Sequence, residues 1–376
     1  MQKYQQIDWK DRAGTDLFRY EKANETSSSI ELTNVPTAIT EPGTPYTPEN
    51  LGHIETGIYD LFQKSKTVRI NNSGAKNDPL LSLALGLVYR EKKALAVAKT
   101  INVGTIPYGI CYDGMYVYVT NYSSANVSII DPATLAIVTT ISVGANPIGV
   151  CYDGTYVYVA NNGSANVSVI DPATLAVVTT ISVGSEPQHC CYDGTYVYVT
   201  NYTSNNVSVI DPATLTVVTN ISVGSNPRDG CYDGTYIYVA NYGSNNVSVI
   251  DPATLTVVTT ISVGSRPRGC CYDGTYVWVV NDNSNNMSVI DPATLAVVIT
   301  ISVGSGPRGC CYDGTYVYVT NNGSANVSVI DPATLTVVTT ISVGTNPIYC
   351  CYDGTYVWIT NSGNNNVSVI DADFNP

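Results

Sequence analysis

From Ile101 onward the chain repeats one pattern of apolar and polar positions every 40 residues, in units that start at residues 101, 141, 181, 221, 261, 301 and 341. Each unit reads approximately ISVGxxPxxxCYDGTYVYVTNxxSxNVSVIDPATLxVVTT. The pattern predicts four short strands, which in the second unit cover about 147–152, 155–160, 166–170 and 175–183. In Tyr156-Val157-Tyr158-Val159 the tyrosines and valines alternate, so they fall on opposite faces and both faces have something apolar to bury. Turn residues stand between the strands. Tyr152-Asp153-Gly154-Thr155 puts glycine where positive φ is cheap, Asp171-Pro172-Ala173-Thr174 puts proline at the second turn position, and Asn161 to Ala165 forms a third, Asn/Gly/Ser-rich loop.

Four antiparallel strands per 40 residues is the signature of a propeller blade, and only a ring gives every blade two equivalent neighbours. The last unit stops at DADFNP after Ile370 and lacks its fourth strand. The missing piece lies upstream, where Ala94-Leu95-Ala96-Val97-Ala98-Lys99-Thr100-Ile101 resembles Thr174 to Ile181. The expected fold is all-β: a seven-bladed β-propeller of four-stranded antiparallel blades over 93–376, closed by strand exchange, which removes the open sheet edges.

Residues 1–92 lack the repeat, and all nine lysines of the chain lie within residues 1–99. A small mixed module over 1–66 and a linker over 67–92 are expected. Its elements are a strand near Ser28–Asn34 and one amphipathic helix capped by Thr47, with Pro48 at its first position, running to about Gln63. Leu51, Ile54, Ile58 and Leu61 have coiled-coil spacing for about two heptads, which fits either packing within the module or self-association, with a trimer favoured. Leu80–Tyr89 reads as a second short helix or a strand and is too short to cross a bilayer.

Two family resemblances follow from these residues. YVTN stands at Tyr118–Asn121, Tyr198–Asn201 and Tyr318–Asn321, and residues 93–371 resemble the YVTN family of β-propeller repeats. That resemblance implies the fold and leaves activity open among surface proteins, binding modules and lactonase-like enzymes. Ile7–Arg12 (IDWKDR) and Gly43–Ile58 (GTPYTPENLGHIETGI) look like the N-terminal part of bacteriophage tail-fibre or baseplate-associated proteins. This second resemblance covers about 4–63. It implies a virion attachment module, contacts with other tail or baseplate proteins through residues 1–66, and synthesis in the bacterial cytoplasm.

The net charge of −13 argues against nucleic acid or an anionic bilayer as partner, and the polar N-terminus is not a secretory signal. Seven of the eleven cysteines, Cys111 to Cys351, recur at the same place in each unit, where a radial array is expected to hold them apart. The other four, Cys190, Cys270, Cys310 and Cys350, each precede one of those directly, and adjacent cysteines rarely bridge. Reduced, buried small hydrophobes are expected, with no metal site. No P-loop, nucleophile elbow or dinucleotide fingerprint occurs, so no cofactor is expected. With only His53 and His189 available, the chain is expected not to be an enzyme.

Near-identical copies make their differences informative. Variation concentrates at the sixth, eighth and ninth residues of the unit and at the twenty-second and twenty-third, in loops expected to emerge together at one mouth of the central channel. The four basic residues of the blades, Arg228, Arg266, Arg268 and Arg308, all lie there. So do Tyr108, Tyr122, Tyr202, Tyr242 and Tyr349, flat surfaces suited to sugars, and His189 with Asp229. These residues are the candidate ligand site. With the phage-type resemblance, the expected function is host-surface recognition by a phage tail protein whose propeller face meets a glycan or protein of the host; guanidinium forks suit carboxylates and phosphates, which makes an acidic glycan the candidate ligand. A secreted or cell-surface adhesin and a lactonase-like enzyme are the competing classes.

Overall fold

The computed structural model describes residues 96–372 together with four short strands nearer the N-terminus. The chain divides into two compact units, Met1–Lys93 with Asn375–Pro376, and Ala94–Phe374. In the first, Trp9–Lys10 pairs antiparallel with Asp16–Phe18, and Ser29–Thr33 pairs parallel with Thr67–Asn71, the latter inside the stretch read as linker. The expected helix from Thr47 to Gln63 and the segment Leu80–Tyr89 lie outside the described residues.

The second unit is a seven-bladed propeller of four-stranded antiparallel sheets. Blade 2 is typical: its strands Pro147–Tyr152, Val157–Asn161, Asn166–Asp171 and Ala176–Ser182 pair in chain order. First strands of neighbouring blades touch each other around the axis, whereas fourth strands barely meet at the circumference. Blade 7 takes its fourth strand from Val97–Asn102, with Val367 opposite Ile101 and Ile370 opposite Val97. That register, including its bulge, is the one that pairs Val167 with Ile181 and Ile170 with Val177 in blade 2. The expected closure is therefore present. Among the described residues no helix is long and apolar enough to cross a membrane.

Alternation along the second strand builds the core. Val157 and Val159 pack with Tyr118 and Ile129 of blade 1, while Tyr158 between them packs with Cys190 and Val197 of blade 3. Each apolar cluster thus straddles two blades, and the last one, with Trp358 and Ile101 against Ile110 and Val117, joins blade 7 to blade 1. Burying each such ring contributes about 2 kcal/mol.

One aspartate per blade ties turn to core. Asp233 Oδ1 accepts hydrogen bonds from the Thr235 and Tyr236 N–H groups at 2.6 Å, and Oδ2 accepts the hydroxyl of buried Tyr238 at 2.9 Å. Gly234 completes the turn at φ 96°, a conformation that favours glycine. Burial first, and then the bond to Asp233, pushes the Tyr238 hydroxyl far above the ordinary tyrosine range. In blades 5 and 7 tryptophan replaces the tyrosine, and Trp278 Nε1 donates to Asp273 at 2.8 Å in the same place.

Replacing Asp233 with alanine strands the Tyr238 hydroxyl and two backbone donors, so the unfolding free energy should fall by about 2–4 kcal/mol. The change should appear as a lower urea midpoint at unchanged slope. A midpoint equal to that of the parent would mean that water replaces the carboxylate without cost.

Candidate functional site

Two loops of each blade are tied together at one end of the ring. The N–H of the twenty-second residue donates to the carbonyl of the sixth: Tyr122 to Ile106 at 2.9 Å, Tyr202 to Glu186 at 3.0 Å, Asp282 to Arg266 at 3.1 Å. The sixth residue is left-handed in every blade, between φ 53° at Asn146 and φ 59° at Gly306. Asparagine and glycine suit that conformation, whereas Ile106, Glu186 and Arg266 adopt it at a steric cost of about 1 kcal/mol each.

The eighth residues converge on the axis. Tyr108, Gln188, Arg228, Arg268, Arg308 and Ile348 line a narrow neck with Tyr349, and the free space in it, ≈ 10 Å³, is about that of one water. An open recess of ≈ 300 Å³ shares Tyr108, Gln188 and Arg228 with the neck and extends to Tyr122, Glu186 and Tyr202.

The ninth residue controls how closely blades approach. At Gly269 a Cβ would lie 2.6 Å from the Arg308 carbonyl oxygen, and at Gly309 2.8 Å from that of Ile348; Gly109 and Gly149 are as crowded. Three blades carry a side chain here instead: His189, Asp229 and Tyr349. The His189 ring stacks on Tyr349 at 5.8 Å and 11°. Blades 3 and 7 are not neighbours, so this contact spans the axis. Asp229, 2% exposed, accepts hydrogen bonds from the Gly230 N–H at 2.7 Å and the Cys270 N–H at 3.3 Å. Its Oδ1 also lies 2.6 Å from His189 Nδ1, a close approach in which the ring N–H is not aligned as a hydrogen bond. Burial, followed by the nearby Asp229 carboxylate, pushes the Tyr349 hydroxyl well above its ordinary range and keeps it protonated.

Four guanidinium groups surround this floor. Arg268 Nε donates to Asp282 at 2.6 Å, and Arg228 Nη1 donates to Gln188 Oε1 at 3.1 Å. Tyr242 collects cations: Arg228, Arg266 and Arg268 lie 4.9, 5.4 and 5.0 Å from its ring centre, and Arg228 is 4.7 Å from Tyr202. Among the described residues only Arg268 of the four has a carboxylate partner. The buried Nε atoms of Arg228 and Arg308 have no hydrogen-bond partner. Burial, and next the charge of Arg268, lowers the pKa of Arg308. Burial also opposes the charge of Arg268, but Tyr108 and Asp282 outweigh it and the net shift is upward. The mouth therefore carries an excess of positive charge in an acidic protein.

The structure brings together every candidate residue named from the sequence. Tyr108 forms a tilted chain with Tyr122 at 6.4 Å and Tyr349 at 5.9 Å, and Tyr202 meets Tyr242 at 6.4 Å. Gln188 and Asp282, which complete the arginine network, were not among the candidates. Both occupy variable positions of the unit, and that was the signal. Glu186, at the rim, accepts the Thr203 hydroxyl at 2.6 Å.

A family model described as Glutamine cyclotransferase matches residues 88–230, and one described as a domain of unknown function (DUF5074) matches residues 176–309. Among solved structures, hydrazine synthase of Kuenenia stuttgartiensis is similar with a TM-score of 0.64 at 23% identity, over 76% of this chain and 100% of that one. No curated protein matches. The fold is shared by 1172 chains of known structure, so it does not by itself select an activity. The expectation that the chain is not an enzyme is corrected by the glutamine cyclotransferase match, whose residues 88–230 include His189, Arg228 and Asp229. That expectation rested on linear motifs and a scarcity of histidine. In a propeller, side chains one repeat apart can meet in space, as His189 and Asp229 do. Neither family match reaches upstream of residue 88, and nothing in the comparisons supports a phage tail or receptor-binding role.

Arg308 is a charge held at a cost. Arg308→Met should raise the unfolding free energy by about 1–2 kcal/mol, as expected when an unpaired, partly buried cation gives way to an apolar side chain. Millimolar phosphate should stabilise the parent and leave the stability of the same variant unchanged. A destabilised variant would show that Arg308 has a structural partner.

Proposed function

We propose that the channel mouth is the active site of an enzyme-type propeller that acts on an anionic substrate, with an acidic sugar as the substrate class. The observation that carries this reading is the pairing of two unneutralised guanidinium groups, Arg228 and Arg308, with a buried carboxylate–imidazole contact on the same floor. Planar guanidinium forks hold a carboxylate or phosphate bidentately, and the low-dielectric floor strengthens the interaction. Tyr122 and Tyr202 flank the recess and offer ring faces to a sugar. Asp229 stabilises the imidazolium that forms when His189 takes a proton from the substrate, and the contact tightens to a hydrogen bond once substrate excludes water. The match to glutamine cyclotransferase favours a second substrate, glutamine, which belongs in the same assay panel.

The phage-type motifs Ile7–Arg12 and Gly43–Ile58 favour display of this propeller on a tail fibre or baseplate as a homo-oligomer, so that the acidic sugar is one of the host surface. Mass spectrometry of purified virions tests that placement separately from the chemistry.

Calorimetry with oligouronides and glycerol-phosphate polymers reads binding, and product analysis reads turnover. Replacing Arg228, Arg268 and Arg308 together with alanine should weaken binding by about 10²–10³-fold. Undiminished affinity would remove the proposal. His189→Gln should bind as the parent does and turn over about 10²–10⁴-fold more slowly. Equal turnover in that variant would leave a binding site without the chemistry assigned here.

A further inference from the structure

Four of the seven blade junctions carry two cysteines where the other three carry one. Cys151 and Cys190 share one interblade apolar cluster, and so do Cys231 with Cys270, Cys271 with Cys310 and Cys311 with Cys350. In the remaining junctions Cys111 faces Val150, Cys351 faces Ile110 and Cys191 faces Gly230. The close pairs join unlike places, the eleventh residue of one unit and the tenth of the next.

The geometry of the pairs is set by the ladder. Cys270 Sγ lies 3.6 Å from the carbonyl oxygen of Tyr238, and Tyr238 is the residue paired directly with Cys231. Cys350 stands in the same way 3.7 Å from Tyr318, the partner of Cys311. Gly230 gives the distance across the junction, since a Cβ built there lies 3.3 Å from Cys191 Sγ. A disulfide needs about 3 Å between one cysteine's Cβ and the other's Sγ, the span set by an S–S bond of about 2.0 Å and the adjoining C–S bond. In each of the four pairs both thiols lie in one interblade apolar cluster, and all eleven cysteines are free.

We propose that Cys151–Cys190, Cys231–Cys270, Cys271–Cys310 and Cys311–Cys350 are interblade disulfide sites that staple blade 2 to blade 3 and blades 4 to 7 to one another. The oxidant is a small disulfide such as oxidised glutathione. The half-buried eleventh-position thiolate attacks it, expelling one glutathione thiolate, and the neighbouring cysteine then displaces the second. One S–S bond forms as one breaks, and the two thiol protons leave with the two glutathiones. The partner thiol and burial hold the Cys151 thiol well above the ordinary range, so the exchange calls for alkaline pH.

The sequence supplies its own test, because acid cleaves the Asp–Pro bonds that follow Asp78, Asp131, Asp171, Asp211, Asp251, Asp291 and Asp331. The full-length protein is oxidised with glutathione disulfide, blocked with N-ethylmaleimide, cleaved in formic acid and separated without reductant. The expected result is fragment 132–171 joined to 172–211, the four fragments from 212 to 376 joined as one set, and 79–131 running alone. Each linkage should lower the mass by two hydrogens. Cys190→Ala should release 132–171, and Gly230→Cys should merge the two sets through a new bond to Cys191. The parent protein carries the test if either variant fails to fold. Fragments that all run free after oxidation, or a bond between Cys190 and Cys191 inside one fragment, would overturn the proposal.

Discussion

The stacking of one blade's aromatic face on the next blade's valine face is the interaction from which the rest of the molecule follows. Tyr158 goes to one neighbour while Val157 and Val159 go to the other, so no blade can bury its core alone. An open stack would leave one aromatic face and one valine face in water. Closure by Val97–Asn102 removes both exposures and gives every junction the same aromatic-on-valine packing. The aspartate of each turn then locks its buried ring by a hydrogen bond, so the aromatic layer is held at its polar edge as well as by burial.

The same crowding makes the channel mouth special. Four glycines let the innermost strands approach until no side chain fits between them. His189, Asp229 and Tyr349 break that rule, and they lie where side chains from different blades can meet across the axis. The site is therefore made by local departures from a scaffold optimised everywhere else. Its costs, in left-handed Ile106 and Arg266 and in an unpaired Arg308, are borne by seven redundant junctions.

The fold was almost wholly legible in the sequence, because a strict period, explicit turn residues and a missing last strand leave one arrangement that buries both faces. Even the closing register could be read from the likeness of Ala94–Ile101 to Thr174–Ile181. The candidate site was legible as a set of variable positions, but not as a set of partners. Nothing in the order of residues says that His189 stacks on Tyr349, that Asp282 takes Arg268, or that Arg308 goes without. Those facts depend on how far each side chain reaches across the ring. The exclusion of catalysis failed for a related reason: it rested on motifs along the chain, whereas the carboxylate–imidazole contact here joins residues at the same place in successive blades. Comparison of like positions also hid the cysteine pairs, which join unlike ones.

The latch that closes the ring pairs residues in the same register that every blade uses internally, and so it does not count blades. A gene made of near-identical segments gains and loses whole segments by misaligned recombination, and a product with one blade more or fewer still finds a third strand for its closing segment. What limits the number is the space around the axis, fixed by the glycine contacts. The arrangement lets the number of blades change without leaving a sheet edge unpaired. A change in blade number would alter the spacing of Arg228, Arg268 and Arg308 around the opening.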